Sequence, residues 1–145
     1  MKLVSRYTDY AMRALVYLSG QKDRLTPVPE LVKNLRIPRP CLRRLLQMLK
    51  ARGLLISRKG LNGGFKLAVG PDEVSLIDVM RIFQGPFKLN ECIFKRDICP
   101  RIKYCRLNKK LRAIEEYVGA QLGSITLSDL TGGRMRYGKK KHHQD

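Results

Sequence analysis

The sequence predicts a mainly α-helical protein with one small β-hairpin, built as a winged helix-turn-helix followed by a long dimerisation helix. Three observations carry this. Two short apolar-periodic segments meet at a three-residue turn, Arg36-Ile37-Pro38. A glycine-rich hairpin loop follows at 59–64. A narrow apolar seam then runs from Leu107 to Leu122.

The first helix is expected over Thr8 to Ser19. Ala11, Leu15 and Leu18 recur at helical spacing, and Met12, Ala14 and Val16 widen the stripe. Gln21 to Thr26 is a polar break. Pro27 and Pro29 suit the first turn of a short helix ending at Leu35. Pro38 disfavours helix at Ile37, so a turn intervenes before the third helix, Arg39 to Arg52. In that helix Leu42, Leu45, Leu46 and Leu49 stand at i, i+3, i+4 and i+7, and Gly53 closes it. Leu54-Leu55-Ile56 and Phe65 to Val69 read as two strands joined by the glycine-rich loop, whose glycines supply positive φ. Ser75-Leu76-Ile77-Asp78 is a capping signal for a helix to Gln84, which Gly85-Pro86 ends. Residues 88–105 lack periodicity. The last helix is expected from Leu107 to Leu122. Its apolar residues Leu107, Leu111, Ile114, Val118 and Leu122 make a coiled-coil-like seam that needs a partner helix.

Charge bounds the function. Lys and Arg number 30 against 12 Asp and Glu, a net of +18. Residues 1–70 hold 15 of the basic residues and only 3 acidic ones. Such a field recruits phosphate polyanions, without separating DNA from RNA. No apolar run approaches the roughly 20 residues of a membrane span, and Met1 to Ser5 has no signal-peptide character. A cytoplasmic protein with no membrane partner is expected. An enzyme is not: there is no nucleotide loop, and the only histidines, His142 and His143, sit in the basic tail.

The third helix is the candidate for contacting bases. Its leucine stripe must face the core, which leaves Arg39, Arg43, Arg44 and Gln47 on the other side. Arg pairs in bidentate fashion with guanine and Gln with adenine. The hairpin adds Arg58, Lys59 and Lys66. A basic wing tip suits a narrow, electronegative minor groove, and Arg58 or Lys59 is the candidate.

Four cysteines occur, and Cys92, Cys99 and Cys105 are spaced C-x6-C-x5-C in the aperiodic segment. Clustered thiols in a reducing compartment point to a metal, an iron–sulfur cluster or redox chemistry. Zinc is a rival, although structural zinc sites favour closely spaced cysteine pairs. Cys41, inside the third helix, reads as a small helix residue.

These motifs together resemble the IscR/NsrR/RirA regulators, the Rrf2-type family of iron–sulfur winged-helix transcriptional regulators. The resemblance spans roughly residues 2–131. It rests on Thr8-Asp9-Tyr10-Ala11-Met12-Arg13-Ala14-Leu15, on the wing from Arg58 to Leu67, and on Ser75-Leu76-Ile77-Asp78-Val79. The three cysteines and Ile125-Thr126-Leu127-Ser128-Asp129-Leu130 complete it. It implies a homodimer with a crossed dimerisation helix, and an iron–sulfur cluster (2Fe-2S or 4Fe-4S) held by Cys92, Cys99 and Cys105. In the IscR branch a His three residues after the third Cys is the fourth ligand; here that residue is Asn108. In the NsrR branch an Asp from the partner's first helix completes the site, and Asp9 stands at the matching position. The other reading of Asp9 is a helix N-terminal charge favoured by the dipole. Arg36 stands where many members have glycine, which implies a differently shaped turn.

The expected organisation is a winged helix-turn-helix DNA-binding domain at 1–70, a cluster-binding loop and dimerisation helices at 71–131, and a disordered basic tail at 132–145. The expected partner is a double-stranded, palindromic DNA operator, bound under cluster control. Two other readings stay open: a cluster-free winged-helix regulator governed by thiol oxidation, zinc or a partner protein, and a basic RNA- or ribosome-binding factor.

Overall fold

The structure is a computed structural model that describes residues 2–89 and 103–131. Helix α1 spans Arg6–Ser19. It begins two residues before Thr8 because Ser5 caps it, its hydroxyl accepting the Thr8 N–H at 3.2 Å. Helix α2 spans Val28–Leu35 and α3 spans Arg39–Ala51. The turn between them holds Arg36 in the left-handed conformation, φ 54° and ψ 38°. That corrects the expectation of a different turn. The backbone takes the shape glycine would give it, and the arginine carries the strain of a left-handed L-residue.

Strands β1 (Leu55–Arg58) and β2 (Gly64–Leu67) pair antiparallel, with Leu55 opposite Leu67 and Arg58 opposite Gly64. Leu55 and Phe65 anchor the hairpin in the core, and backbone hydrogen bonds tie it to the α1–α2 connection. Thr26 and Phe65 exchange two backbone hydrogen bonds of 2.9 Å. The backbones approach so closely there that a Cβ on Gly64 would lie 2.2 Å from the Thr26 carbonyl oxygen.

A 3-10 turn at Pro71–Glu73 leads to α4, Leu76–Gln84, capped by Ser75 as its sequence requires. Helix α5 spans Arg106–Ser124. A short helix α6, Leu127–Thr131, was not anticipated. Its signal is Thr126-x-x-Asp129: the Asp129 carboxylate accepts the Thr126 N–H at 2.8 Å, and the Thr126 hydroxyl accepts the Asp129 N–H at 3.4 Å. Residues 126–131 thereby return to the middle of the chain. Ser75 and Thr126 form an isolated antiparallel bridge, and Leu127 is fully buried.

One core unites these pieces around α1. Ala11, Ala14 and Leu15 are fully buried, against Leu31 of α2, Leu42, Leu46 and Leu49 of α3, Val79 of α4 and Leu127 of α6. The small side chains at 11 and 14 let neighbouring helices come close. Helix α5 stands apart and packs on α4. Of its seam only Leu122 is buried; Leu111 and Val118 are half-buried, while Leu107 and Ile114 are 68% and 51% exposed.

Candidate nucleic-acid interface and cysteine segment

Burial of Leu42, Leu45, Leu46 and Leu49 fixes the rotation of α3. Arg39, Arg43, Arg44 and Gln47 are consequently exposed. Wing strand β1 brings Arg58 and Lys59 alongside. All six line one open groove of about 770 Å3, floored by Pro27, Val28 and Pro29 at the start of α2. Lys50 lines it too, a residue sequence reasoning passed over although it lies three positions after Gln47 on the same face. Lys66 does not join them. It lines a neighbouring groove together with Arg58, and its ammonium lies 3.9 Å from the Asp23 carboxylate.

The groove is electrostatically open. Among the described residues, none of its cations takes part in an ion pair. Between Glu30 and Asp72 the sequence has ten basic residues and no acidic one, a stretch that coincides with the turn, α3 and the wing. Helix α3 is also unlike α1, α2 and α4 in that its first turn holds no acidic residue, and like α2 it has no side-chain cap. Its dipole therefore meets no carboxylate of its own.

A polar clamp holds the floor of this groove. Glu30, in the first turn of α2, accepts hydrogen bonds from Tyr17 Oη at 2.8 Å and from both terminal nitrogens of Arg24, at 3.1 and 2.6 Å. The Arg24 bonds, then the Tyr17 hydroxyl, hold the Glu30 carboxyl below its ordinary range. Burial, then the bond to Glu30, pushes the Tyr17 phenol up.

Of the cysteines, Cys92 and Cys99 lie outside the described residues. Cys105 is a free thiol and the N-cap of α5; its Sγ accepts the Asn108 N–H at 3.4 Å. Asn108, at the position of the IscR histidine, thus serves through its backbone. Cys41 is half-buried and packs against the core, as a small helix residue does. Asp9 pairs with Arg13 one turn along α1, at 2.9 Å, and stays about half exposed. Among the described residues no three metal-ligating side chains converge.

The two ends of the cysteine segment are nonetheless anchored. The Leu89 N–H donates to Glu115 of α5 at 2.9 Å, so Leu89 and Cys105, on either side of the segment, both sit at α5. Just upstream, Gln84 stitches the end of α4 to the N-terminus. Its Oε1 accepts from the Ser5 N–H and the Thr8 hydroxyl at 2.9 and 2.8 Å, and its Nε2 donates to the Leu3 carbonyl at 3.1 Å. No sequence signal marked Gln84, because its partners are about 80 residues away.

Comparison with known proteins settles the family. Residues 4–133 match the model of the Rrf2 family, described as iron-dependent transcriptional regulators. The chain belongs to the Rrf2 family. A protein of Aquifex aeolicus assigned as an HTH-type transcriptional regulator is 32% identical over 123 residues, 83% of this chain and 85% of that one. Protein aau3 of Rhizobium meliloti is 30% identical over 132 residues, 90% and 86% of the two chains. Among solved structures, CymR, the global cysteine regulator of B. subtilis, superposes with a TM-score of 0.74 at 25% identity, covering 91% of this chain and 98% of that one. T. potens IscR superposes at 0.70 and 20% identity, covering 100% and 94%, and so shares the fold. As an Rrf2 protein the chain is a DNA-binding, winged-helix transcriptional regulator and not an enzyme. No helix among the described residues is long and apolar enough to cross a membrane.

Proposed function

We propose that this regulator binds a palindromic duplex operator as a homodimer, with α3 in the major groove and the wing beside it, and that an iron–sulfur cluster controls the binding. The observation that carries the operator reading is the acid-free groove, in which Arg39, Arg43, Arg44, Gln47, Arg58 and Lys59 meet. Arg43 and Gln47 stand where a recognition helix reaches base edges, while the uncapped start of α3 suits a phosphate. The homodimer is supported by α5. Its exposed Leu107, Ile114 and Tyr117 lie on one helix whose contacts within the chain run to α4, and a second copy of that seam would cover them.

Cys92, Cys99 and Cys105 would hold the cluster. The described part of this donor set suits it: Cys105 is an unbridged thiol whose sulfur already accepts a backbone N–H, the kind of hydrogen bond that orients and tunes a ligand sulfur. Asp9, exposed on α1, would be offered to the partner protomer as the fourth ligand, at the cost of its pair with Arg13. A bound cluster supplies a centre sensitive to oxidants, iron supply and nitric oxide. The chain's own residues carry the consequence. Leu89 and Cys105 tie the segment to α5, Gln84 ties α4 to the start of α1, and α1 packs directly on α3. A bias of about 1–3 kcal/mol between two arrangements of these helices suffices for a useful switch.

The likeness to CymR favours a second reading, a cluster-free regulator that responds to cysteine-related signals. Anaerobic purification with absorbance spectroscopy and iron and sulfide assays separates the two. Iron with acid-labile sulfide in the wild type, lost in Cys99→Ala and destabilised in Asp9→Ala, is the expected result. A colourless, iron-free wild type that still shifts a duplex selected from a random pool overturns cluster control and leaves the CymR-like reading.

A further inference from the structure

Leu61 stands at the tip of the wing, 96% exposed, the most exposed large apolar side chain among the described residues. A lone surface leucine is ordinary. This one is held out by a built loop. The Gly63 N–H donates to the Gly60 carbonyl at 3.0 Å, and Asn62 adopts φ 60°. Gly63 lies so close to Arg58 that a Cβ there would be 2.2 Å from the Arg58 carbonyl oxygen. The tip therefore has one backbone shape, and that shape projects Leu61 rather than folding it back on the hairpin. Its sequence neighbours are Lys59, Gly60 and Asn62, and no acidic residue lies within ten positions on either side.

We propose that Leu61 is a specificity-determining contact in the minor groove of the operator. The proposal deepens the operator-binding reading and rests on it. An apolar side chain that follows two cations, Arg58 and Lys59, along the loop matches a surface that is negative at its rim and apolar along its sugar walls. The minor groove offers both, and most strongly where A·T pairs narrow it. There the floor lacks the guanine 2-amino group, the one donor that marks G·C in this groove. Architectural proteins place leucine and similar apolar side chains against that floor, and sometimes between base steps. Arg58 and Lys59 then bring the tip to the groove, and Leu61 discriminates by shape: it fits over A·T and collides with the amino group of G·C. The competing occupant, an acidic surface of another protein, would leave DNA affinity independent of Leu61.

The test uses the full-length protein and a duplex that the wild type enriches from a randomised pool, with affinity read by fluorescence anisotropy at several salt concentrations. Leu61→Ala is expected to weaken binding about tenfold, or about 1.4 kcal/mol, with an unchanged salt slope because no phosphate contact is lost. Leu61→Met is expected to retain wild-type affinity. In a second arm, A·T pairs of the enriched duplex are replaced one at a time by inosine·cytosine or by G·C. These two pairs present the same major-groove edge, and only G·C adds the minor-groove amino group. At the wing-facing steps the wild type is expected to bind the inosine duplex about tenfold tighter than the G·C duplex, and Leu61→Ala to bind both alike. Wild-type affinity in Leu61→Ala, or a G·C penalty that survives in it, overturns the proposal. A pool from which the wild type enriches nothing overturns the operator reading itself, and this inference with it.

Discussion

Gly64→Ala isolates one joint that holds the wing, its backbone bridge to Thr26. The new Cβ would lie 2.2 Å from the Thr26 carbonyl oxygen, 2.4 Å from its carbon and 2.7 Å from the Pro27 nitrogen, all backbone atoms. None can swing aside as a side chain would, so the hairpin must part from the α1–α2 connection. Two 2.9 Å hydrogen bonds between Thr26 and Phe65 are then lost, worth about 1 kcal/mol each. An L-residue at φ 150° adds about 1–3 kcal/mol of backbone strain. The total is about 3–5 kcal/mol, which lowers Tm by roughly 10 °C in a chain of this size. Gly60→Ala is the control. It also changes a positive φ, 92°, yet nothing lies within 4 Å of its Cβ, so only the strain remains. The assay is calorimetric melting of wild type and both variants, with duplex binding measured on the same samples. Gly64→Ala should melt well below Gly60→Ala and lose affinity, since Arg58 and Lys59 leave the groove with the hairpin. A Gly64→Ala protein that melts no lower than Gly60→Ala would refute the reasoning.

Other predictions come from the same geometry. Thr26 Oγ1 is buried without a partner, so Thr26→Val should raise stability by about 1 kcal/mol; a drop in the denaturation midpoint would mean the hydroxyl is bonded. Arg36→Gly relieves a left-handed arginine, an estimated 1–2 kcal/mol. Greater freedom of the unfolded chain offsets about 0.4–1 kcal/mol of this. A small net rise in Tm is expected, and a fall would show that the side chain holds the turn. Glu30 is held below its ordinary value near 4.5. Its contribution is therefore present above that pH and fades as the pH falls through the lowered value. Urea titrations of wild type and Glu30→Gln should differ at pH 7 and draw together as the pH falls through the lowered Glu30 value; a constant gap would refute the link. Arg43→Ala should cost roughly 1–3 kcal/mol on the enriched duplex and relax base preference, whereas an equal loss on every sequence would make Arg43 a phosphate contact.

What the sequence revealed and what it hid divide along a physical line. Periodicity is local, so the leucine stripe of α3 located the helix and, by elimination, its exposed Arg39, Arg43, Arg44 and Gln47. Capping is local as well: Ser75 begins α4 as its motif requires. The same rule applied to Thr126 and Asp129 would have found α6. Long-range pairings leave no such trace. Gln84 looks like any helix-terminal polar residue until Leu3, Ser5 and Thr8 are brought to it. Lys66 shares the wing's basic composition with Arg58 and Lys59, and even a strand face with Arg58, but its place opposite Ile56 and its pair with Asp23 keep it out of the groove. Arg36 shows the opposite limit. The residue type suggested a changed turn, yet the two helices it joins dictate the backbone, and the side chain accommodates.

The position of α1 explains how a signal at one end of this molecule could be felt at the other. A helix with alanines at 11 and 14 touches α2, α3, α4, α6 and the wing strand β2. Its own N-terminus is held by a residue of α4, through the three hydrogen bonds of Gln84, rather than by chain continuity. Close packing leaves little room for such a helix to move alone. A displacement of α4 along α5 must therefore either break the Gln84 stitch or carry α1 with it, and α1 cannot move without shifting the leucine face of α3. The stitch is the weaker element, since its polar groups are part-buried or exposed and its bonds are worth about 1 kcal/mol each. Gln84→Ala would thus loosen the tie between α4 and α1 while leaving the packing of Val79 against α1 in place. Operator affinity in the absence of any signal should survive, and its dependence on the state of the cysteine segment should shrink.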